Sequence, residues 1–285
     1  TDRVPRACPA CGNADIAPLG RGTEQLEEHL AELLAGVKRP DGQPVRVARI
    51  DADTTRLKGA LESQLAAVHS GEVDVLVGTQ MIAKGHDFRR ITLVAAINPD
   101  SALFSSDFRA PERLFALLMQ AAGRAGRDAT QGESEMLVQT FHPTHPLFEA
   151  LKRHDYPAFA ASELADRTAA GLPPISHQAL LRADARSQDV AQGFLSAARD
   201  ALEAMLTPMP GGPELLEQVS LYPAVPLSMQ RVADVERAQM LLESPSRADL
   251  HKVLTQLHAV LHHLRSQPEH KGVIRWLVDV DPQAI

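Results

Sequence analysis

Residues 120 to 127 read QAAGRAGR: two arginines three positions apart, two glycines, and no acid among them. A helix end that serves only structure needs one glycine and one cation near its last carbonyls. Two guanidiniums on a short glycine-containing turn suit something else, bidentate contact with phosphate oxygens. Arginine is always charged, so it can stabilise the negative charge that spreads over a transferring phosphoryl group. The helix dipole accounts for one of the two cations and leaves the doubled glycines unexplained. Gln120, Arg124 and Arg127 are therefore candidate site residues.

A second stretch, VGTQMIAKGHDF at 77 to 88, places a Gly-Thr turn just after a run that reads as a strand. In open α/β sheets, ligands bind beyond the carboxyl ends of the strands. Thr79 offers a hydroxyl and backbone groups to an anion. Gly85 lets the chain approach closely, and Asp87 can accept hydrogen bonds from a ribose hydroxyl. The same spacing also serves a routine polar loop between two strands. A third candidate is the pair Cys8 and Cys11 in CPACG, which has the spacing of half a tetrahedral zinc site. Two thiolates need two more ligands, and no second such pair exists in the sequence. The twelve histidines are scattered, and none is assigned to metal; His262 and His263 read as solvated positions on the last helix.

These residues need elements to hold them. GTEQLEEHLAELLAG has apolar Leu26, Leu30, Leu33 and Leu34 at helical spacing, with Thr23 as its expected cap. VRVARID alternates as a strand, RLKGALESQLAAVHSG reads as a helix ending at Gly71, and VDVLVGT is a strand. ITLVAAIN is the near-continuous apolar run of a strand buried on both faces. APERLFALLMQAAG is a helix with Pro111 in its first turn and Leu114, Leu117, Leu118 and Ala121 as its anchoring face; SEMLVQTF is a strand. Strands alternating with helices predict an α/β architecture, an open and mostly parallel sheet covered by helices.

Beyond HPTHP the rhythm changes. Residues 146 to 170 read as helices closed by GLPP. The sequence then gives a strand in HQALLRAD, a helix in QDVAQGFLSAARDALEAML and strands in EQVSLYPAV and ERAQMLLES. A helix in RADLHKVLTQLHAVLHHLR and a strand in VIRWLVDVD complete it. That order predicts a smaller α+β domain of βαββαβ type, with the boundary near Pro143.

The chain has 285 residues, enough for two domains with their own cores. A net charge of −7 argues against a uniformly basic nucleic-acid coat but permits a local basic groove. The sequence has no apolar run of membrane-spanning length and no signal peptide, which makes a cytoplasmic protein without a membrane partner the expectation. It begins at Thr1, which reads as a fragment or a processed chain.

GTQMIAKGHDF and QAAGRAGR, in this order and with SALFSSDFRAPER between them, resemble motifs V and VI of superfamily 2 helicases. Together with CPACG before GRGTEQLEEHL, RIDADTTRLKGALE, and WLVDVDP at the end, they resemble the PriA family of primosomal replication-restart helicases over essentially the whole chain. The resemblance implies that residues 1 to 19 are a remnant of a zinc-binding insertion. It makes 20 to 143 the second RecA-like lobe and 144 to 285 a C-terminal α+β domain preceded by a helical linker. It implies that Arg127 is the arginine finger, that Arg124 joins it on the phosphates, and that Gln120 couples nucleotide to DNA. It places Gly85 and Asp87 by the nucleotide and Thr79, Gln80 and Lys84 on the DNA side. It implies ATP and Mg2+ held jointly with a first lobe, and Zn2+ on Cys8 and Cys11 completed by an earlier cysteine pair.

The sequence contains no G-x-x-x-x-G-K-[ST] loop and no DEAH-type box. The resemblance thus implies an ATP-dependent 3′→5′ DNA helicase as the parent, with this chain inactive alone. Implied partners are forked and single-stranded DNA, other primosome proteins, and the acidic tail of the single-stranded-DNA-binding protein. ESPSRADLHKVL fits that tail: Ser246 can cap a helix whose N-terminus favours an anion, and Arg247 and His251 lie one turn apart on one face. A solvated Arg247 paired with Asp249 or Glu243 is the plainer alternative. Competing with the helicase are a non-catalytic DNA- or protein-binding module and another superfamily 2 translocase.

Overall fold

The computed structural model describes residues 22–51, 54–55, 59–79, 91–123, 125, 134–232 and 234–285. Its elements run α1 (Thr23–Leu33), β1 (Val47–Ile50), α2 (Ala60–His69), β2 (Val75–Gly78), β3 (Leu93–Ile97), α3 (Asp100–Leu103), α4 (Ala110–Ala122) and β4 (Glu135–Gln139). They continue with α5 (Pro146–Lys152), α6 (Tyr156–Ala170), β5 (His177–Ala185), α7 (Gln188–Leu206), α8 (Gly212–Gln218), β6 (Ser220–Leu221), β7 (Val225–Val232), β8 (Val235–Ser244), α9 (Arg247–Ser266) and β9 (Val273–Val280). The chain divides into two compact units, one of residues 1–103 and 113–143, the other of 104–112 and 144–285.

In the first unit the described strands form two parallel pairs, β1 with β2 and β3 with β4. Ile50 stands opposite Gly78 and Ile97 opposite Gln139, so each pair has its carboxyl ends side by side. Two local expectations fail here. Thr23 does not cap α1: Gly22 holds the cap position, and the Thr23 hydroxyl donates to Asp51 Oδ2 at 2.6 Å. Strand β3 is not buried on both faces, since Leu93 and Ile97 are 52% and 53% exposed. Alternate residues on one face of β3 and β4 lie open, so the apolar run measures strand propensity more than burial.

The second unit is an antiparallel sheet in the order β6-β8-β5-β9, with β7 also paired to β8. Period-two burial puts Ala179, Leu181, Ala183 and Ala185 of β5 and Ala238, Met240 and Leu242 of β8 into one core. Helices α7 and α9 add their apolar stripes, among them Phe194, Leu195, Leu202, Leu250, Leu257 and Leu261. Side chains cap these helices as their sequences allow: Ser187 accepts from the Val190 N–H and Ser246 from the Asp249 N–H. The expected strand over EQVSLYPAV is corrected. The run is broken into the two-residue β6, Ser220–Leu221, with α8 before it and the start of β7 at Val225, and the longer partner of β8 is β7. Pro223 interrupts the first run, since proline gives no N–H to a ladder. The chain reverses between β7 and β8 at Asp234, whose φ of 64° is one that aspartate tolerates.

Helix α8 starts against the end of α7. A Cβ on the buried Gly212 would lie 1.8 Å from the Leu206 carbonyl oxygen, a backbone atom that cannot swing aside. Gly193, on the exposed side of α7, has open space around it. Gly212→Ala is therefore expected to destabilise the chain by about 1–3 kcal/mol or more, whereas Gly193→Ala should stabilise it by about 0.5–1 kcal/mol. Urea midpoints of the two variants test this; shifts of equal sign would contradict the placement of Gly212.

Candidate functional site

The candidate site begins at the carboxyl ends of the parallel strands, where a buried aspartate follows the first strand of each pair. Asp51, directly after β1, is 5% exposed. Its Oδ2 accepts from the Thr23 hydroxyl at 2.6 Å and from Arg49 Nη1 at 3.2 Å, and its Oδ1 accepts from the Thr54 N–H at 2.9 Å. Its backbone N–H donates to Thr54 Oγ1 at 3.0 Å, and its carbonyl accepts from the Thr55 hydroxyl at 2.7 Å. Arg49 also reaches Glu27 at 3.0 Å. This network fixes the turn that follows Ile50, beside Gly78 and Thr79. Thr79 itself is exposed at the end of β2.

Asp100 ties the two strands of the second pair together. It accepts from the Thr140 hydroxyl and, at 2.9 Å, from the Phe141 N–H, joining the segment after β3 to the end of β4. Burial alone would raise the Asp100 carboxyl. The Phe141 N–H, the Thr140 hydroxyl and the charge of His142 outweigh that and hold it below its usual value.

Helix α4 carries Gln120. Leu114, Phe115 and Leu118 are buried, while Leu117 and Ala121 are half-buried, so the anchoring face is centred one residue from where the leucine spacing puts it. Gln120 is exposed in the last turn, and the Gly123 N–H still donates to the Met119 carbonyl at 3.0 Å. A Cβ on Gly123 would meet that oxygen at 3.4 Å, an ordinary contact, so sterics do not demand glycine there. Arg124, Arg127, Gln80, Lys84, Gly85, Asp87, Cys8 and Cys11 lie outside the described residues. Among the predicted residues, Thr79 and Gln120 are thus placed, both exposed in the first unit.

The segment leading into α4 belongs to the second unit, and it gathers residues that spacing could not reveal. Asp107 Oδ1 accepts from the Arg109 N–H at 2.9 Å, turning the chain into the helix. The Phe108 ring has two guanidiniums over it, Arg109 at 5.1 Å and Arg167 of α6 at 5.2 Å. Arg167, 12% exposed at its side chain, pairs with Glu112 at 2.9 Å and with Glu163 at 3.8 Å. Burial raises the Glu163 carboxyl, and Arg167 pulls against it. The only sequence signal for this clamp is the aromatic and charged run SALFSSDFRAPER; its partner lies 55 residues further on.

The remaining candidates are on α9. Arg247 and His251 are both exposed. Arg247 pairs neither with Asp249 nor with Glu243. Asp249 holds Lys252 at 2.8 Å, and Glu243 accepts from Ser176, Gln178 and Tyr222. The partner of Arg247 is Asp281, at 3.7 Å. Among the described residues there is no group of three or more His, Cys, Asp or Glu placed to hold a metal, and no helix long and apolar enough to cross a membrane.

Asp100 gives a pH-dependent test. Its folded value is lowered, so its contribution is present above the ordinary carboxylate value and is lost as pH falls through the lowered one. The stability advantage of the wild type over Asp100→Asn should therefore be full near neutrality and shrink below about pH 4. Denaturant melts from acid to neutral pH measure it; an advantage that grows on acidification contradicts the hydrogen-bonded carboxylate.

Comparison with known proteins finds relatives along nearly the whole chain. Residues 20–129 match the Helicase conserved C-terminal domain and residues 168–283 the Primosomal protein N C-terminal domain. The replication restart protein PriA of Haemophilus influenzae is 41% identical over 280 residues, covering 98% of this chain and 35% of that protein. Its namesake in Bacillus subtilis is 34% identical over 287 residues, covering 98% and 32%. In Synechocystis the figures are 36% over 242 residues, 85% and 27%. The chain spans about a third or less of the length of these curated relatives.

Proposed function

The chain belongs to the PriA family of replication restart proteins, and from that membership we propose that it serves as the second motor lobe and C-terminal domain of an ATP-dependent 3′→5′ DNA helicase. That helicase recognises stalled or abandoned replication forks and starts primosome assembly. The observation that carries the reading is the order of the two candidate stretches within residues 20–129, the part that matches the helicase C-terminal domain. Residues 1–19 are then a remnant of the zinc-binding insertion, 20–143 the lobe and 144–285 the C-terminal domain. In that last domain β5, α7, β7, β8, α9 and β9 supply the βαββαβ order, with α8 and β6 added between α7 and β7. The antiparallel β7–β8 pairing between the two long helices supports this.

Gln120, exposed in the last turn of α4 and four residues before Arg124, couples nucleotide to DNA in this reading. In this reading Arg127 meets the charge developing on the transferring phosphoryl group, Arg124 holds the phosphates, and Gly85 and Asp87 approach the nucleotide. Thr79, Gln80 and Lys84 face DNA. Bound ATP and Mg2+, shared with a first lobe, supply the phosphoryl chemistry. Cys8 and Cys11 supply two of the four ligands of a zinc site. Arg127→Ala in the full-length protein should lower ATP turnover about 10³–10⁵-fold and leave ATP affinity within a few fold. ATPase rate and nucleotide affinity measured together decide it, and wild-type turnover overturns the assignment.

For partners, the reading takes forked and single-stranded DNA, other primosome proteins and the acidic tail of the single-stranded-DNA-binding protein. The Arg247–Asp281 pair supports the last, because it already sets a carboxylate against Arg247 where α9 begins; His251 lies one turn on. Asp281 competes for the same cation, so the loss is placed at the low end for a charged contact. Arg247→Ala or Arg247→Glu should weaken a labelled tail peptide by about 1.5 kcal/mol while ATPase on naked forked DNA is spared. Unchanged affinity in both variants puts the tail elsewhere.

A further inference from the structure

Helix α9 presents a group of side chains that neither the fold nor the proposed function uses. Its inner face is fixed by buried Leu257, Val260, Leu261 and Leu264. On its exposed side His258 and His262 sit one turn apart, with ring centroids 4.6 Å from each other and planes at 65°. Trp276 of β9 stands beside both, 5.7 Å from His258 and 5.2 Å from His262, its ring nearly perpendicular to each. Among the described residues no hydrogen bond engages a nitrogen of either imidazole. The neighbouring histidines differ: His263 is bonded to Gln267 at 3.0 Å, and the His270 ring packs on Phe194 at 5.4 Å.

Two histidines at i and i+4 on one helical face are a chelating pair, the ligand spacing of the H-E-x-x-H zinc motif. A residue of the helix interior cannot drift away from its partner, so the pair is set in place before any ion arrives. Imidazole nitrogens are ligands of borderline softness. They select Zn2+, Ni2+ or Cu2+ over Mg2+ and Ca2+, which require oxygen ligands. The position after the first histidine is Ala259 rather than glutamate, so the pair has no general base of the metalloprotease kind and is suited to holding an ion rather than to hydrolysis.

We propose that His258 and His262 form a two-imidazole site for a borderline divalent transition-metal ion on the outer face of α9, walled on one side by Trp276. Water completes the coordination shell. The site is separate from the Cys8–Cys11 pair and independent of the helicase reading, since it lies wholly within the second unit.

Trp276 is the chain's one tryptophan, so its emission reports this site and none of the other histidines or cysteines. Titrating Ni2+ into the 285-residue chain should quench Trp276 to saturation with one-site stoichiometry. His258→Gln and His262→Gln should each weaken the apparent affinity by at least about tenfold, as large as the loss of an outer-shell partner at a metal site. Both imidazoles are exposed, so neither change disturbs the core. His263→Gln, on the adjacent position, should leave the titration unchanged. The ion should also raise the melting temperature of the wild type, and of His263→Gln, but not of the two site variants. No saturable quenching, quenching that survives either site substitution, or an equal loss in His263→Gln overturns the proposal.

Discussion

The candidate site depends on two buried carboxylates, each gathering several hydrogen-bond donors around it. Parallel strands end with their carbonyls and following turns exposed at one edge, the edge where an α/β sheet receives its ligand. A turn left to itself there would sample many conformations. Asp51 and Asp100 remove that freedom by accepting hydrogen bonds from elements far apart in the chain: Thr23 from α1 and Thr54 from the turn itself, Thr140 and Phe141 from the end of β4. Removing water from a carboxylate is costly, and several donors aimed at one anion offset it. The same accounting explains Glu243, whose three donors come from Ser176, Gln178 and Tyr222.

The second unit relies on a different principle. Its stability is placed in one contiguous apolar core between the sheet and two long helices, with almost every inward residue fully buried. Such a core resists change in volume, and its outer surfaces are free to carry chemistry. The same helix α9 illustrates both sides: leucines and valines inward, and Arg247, His251, His258 and His262 outward.

Much of this was legible in the sequence. The helices over α2, α4, α7 and α9 and the strands β1, β2, β4, β5, β8 and β9 follow from periodicity, and Ser246 caps α9 as its residue type allows. Errors arose where one signal served two purposes. Thr23 has the chemistry of a cap, but its hydroxyl has a better-placed acceptor in Asp51. The run before Pro223 looks like a strand, yet proline and the short α8 leave only two residues to pair, and β7, with Pro226 inside it, carries the pairing instead. The partners of Arg167, Arg247 and Glu243 were illegible, because an ion pair or hydrogen bond closed across tens of residues leaves no local pattern. His258 and His262 were visible as residues but not as neighbours of Trp276, which a strand beyond the helix brings alongside.

The clamp on Phe108 has a consequence for how this region can be inherited. Residues 104–112 group with the C-terminal unit although they precede the rest of α4, which groups with the other. Phe108 and Glu112 find their cation in Arg167, on a helix beyond the apparent boundary. The two units are therefore interleaved along the chain rather than placed end to end. A gene fusion or exchange that joins at Pro143 would carry away Arg167 and leave behind the aromatic ring and the acid it holds. Units wired in this way are transmitted together, so variation between relatives should accumulate within each unit and not by swapping one of them for an unrelated module.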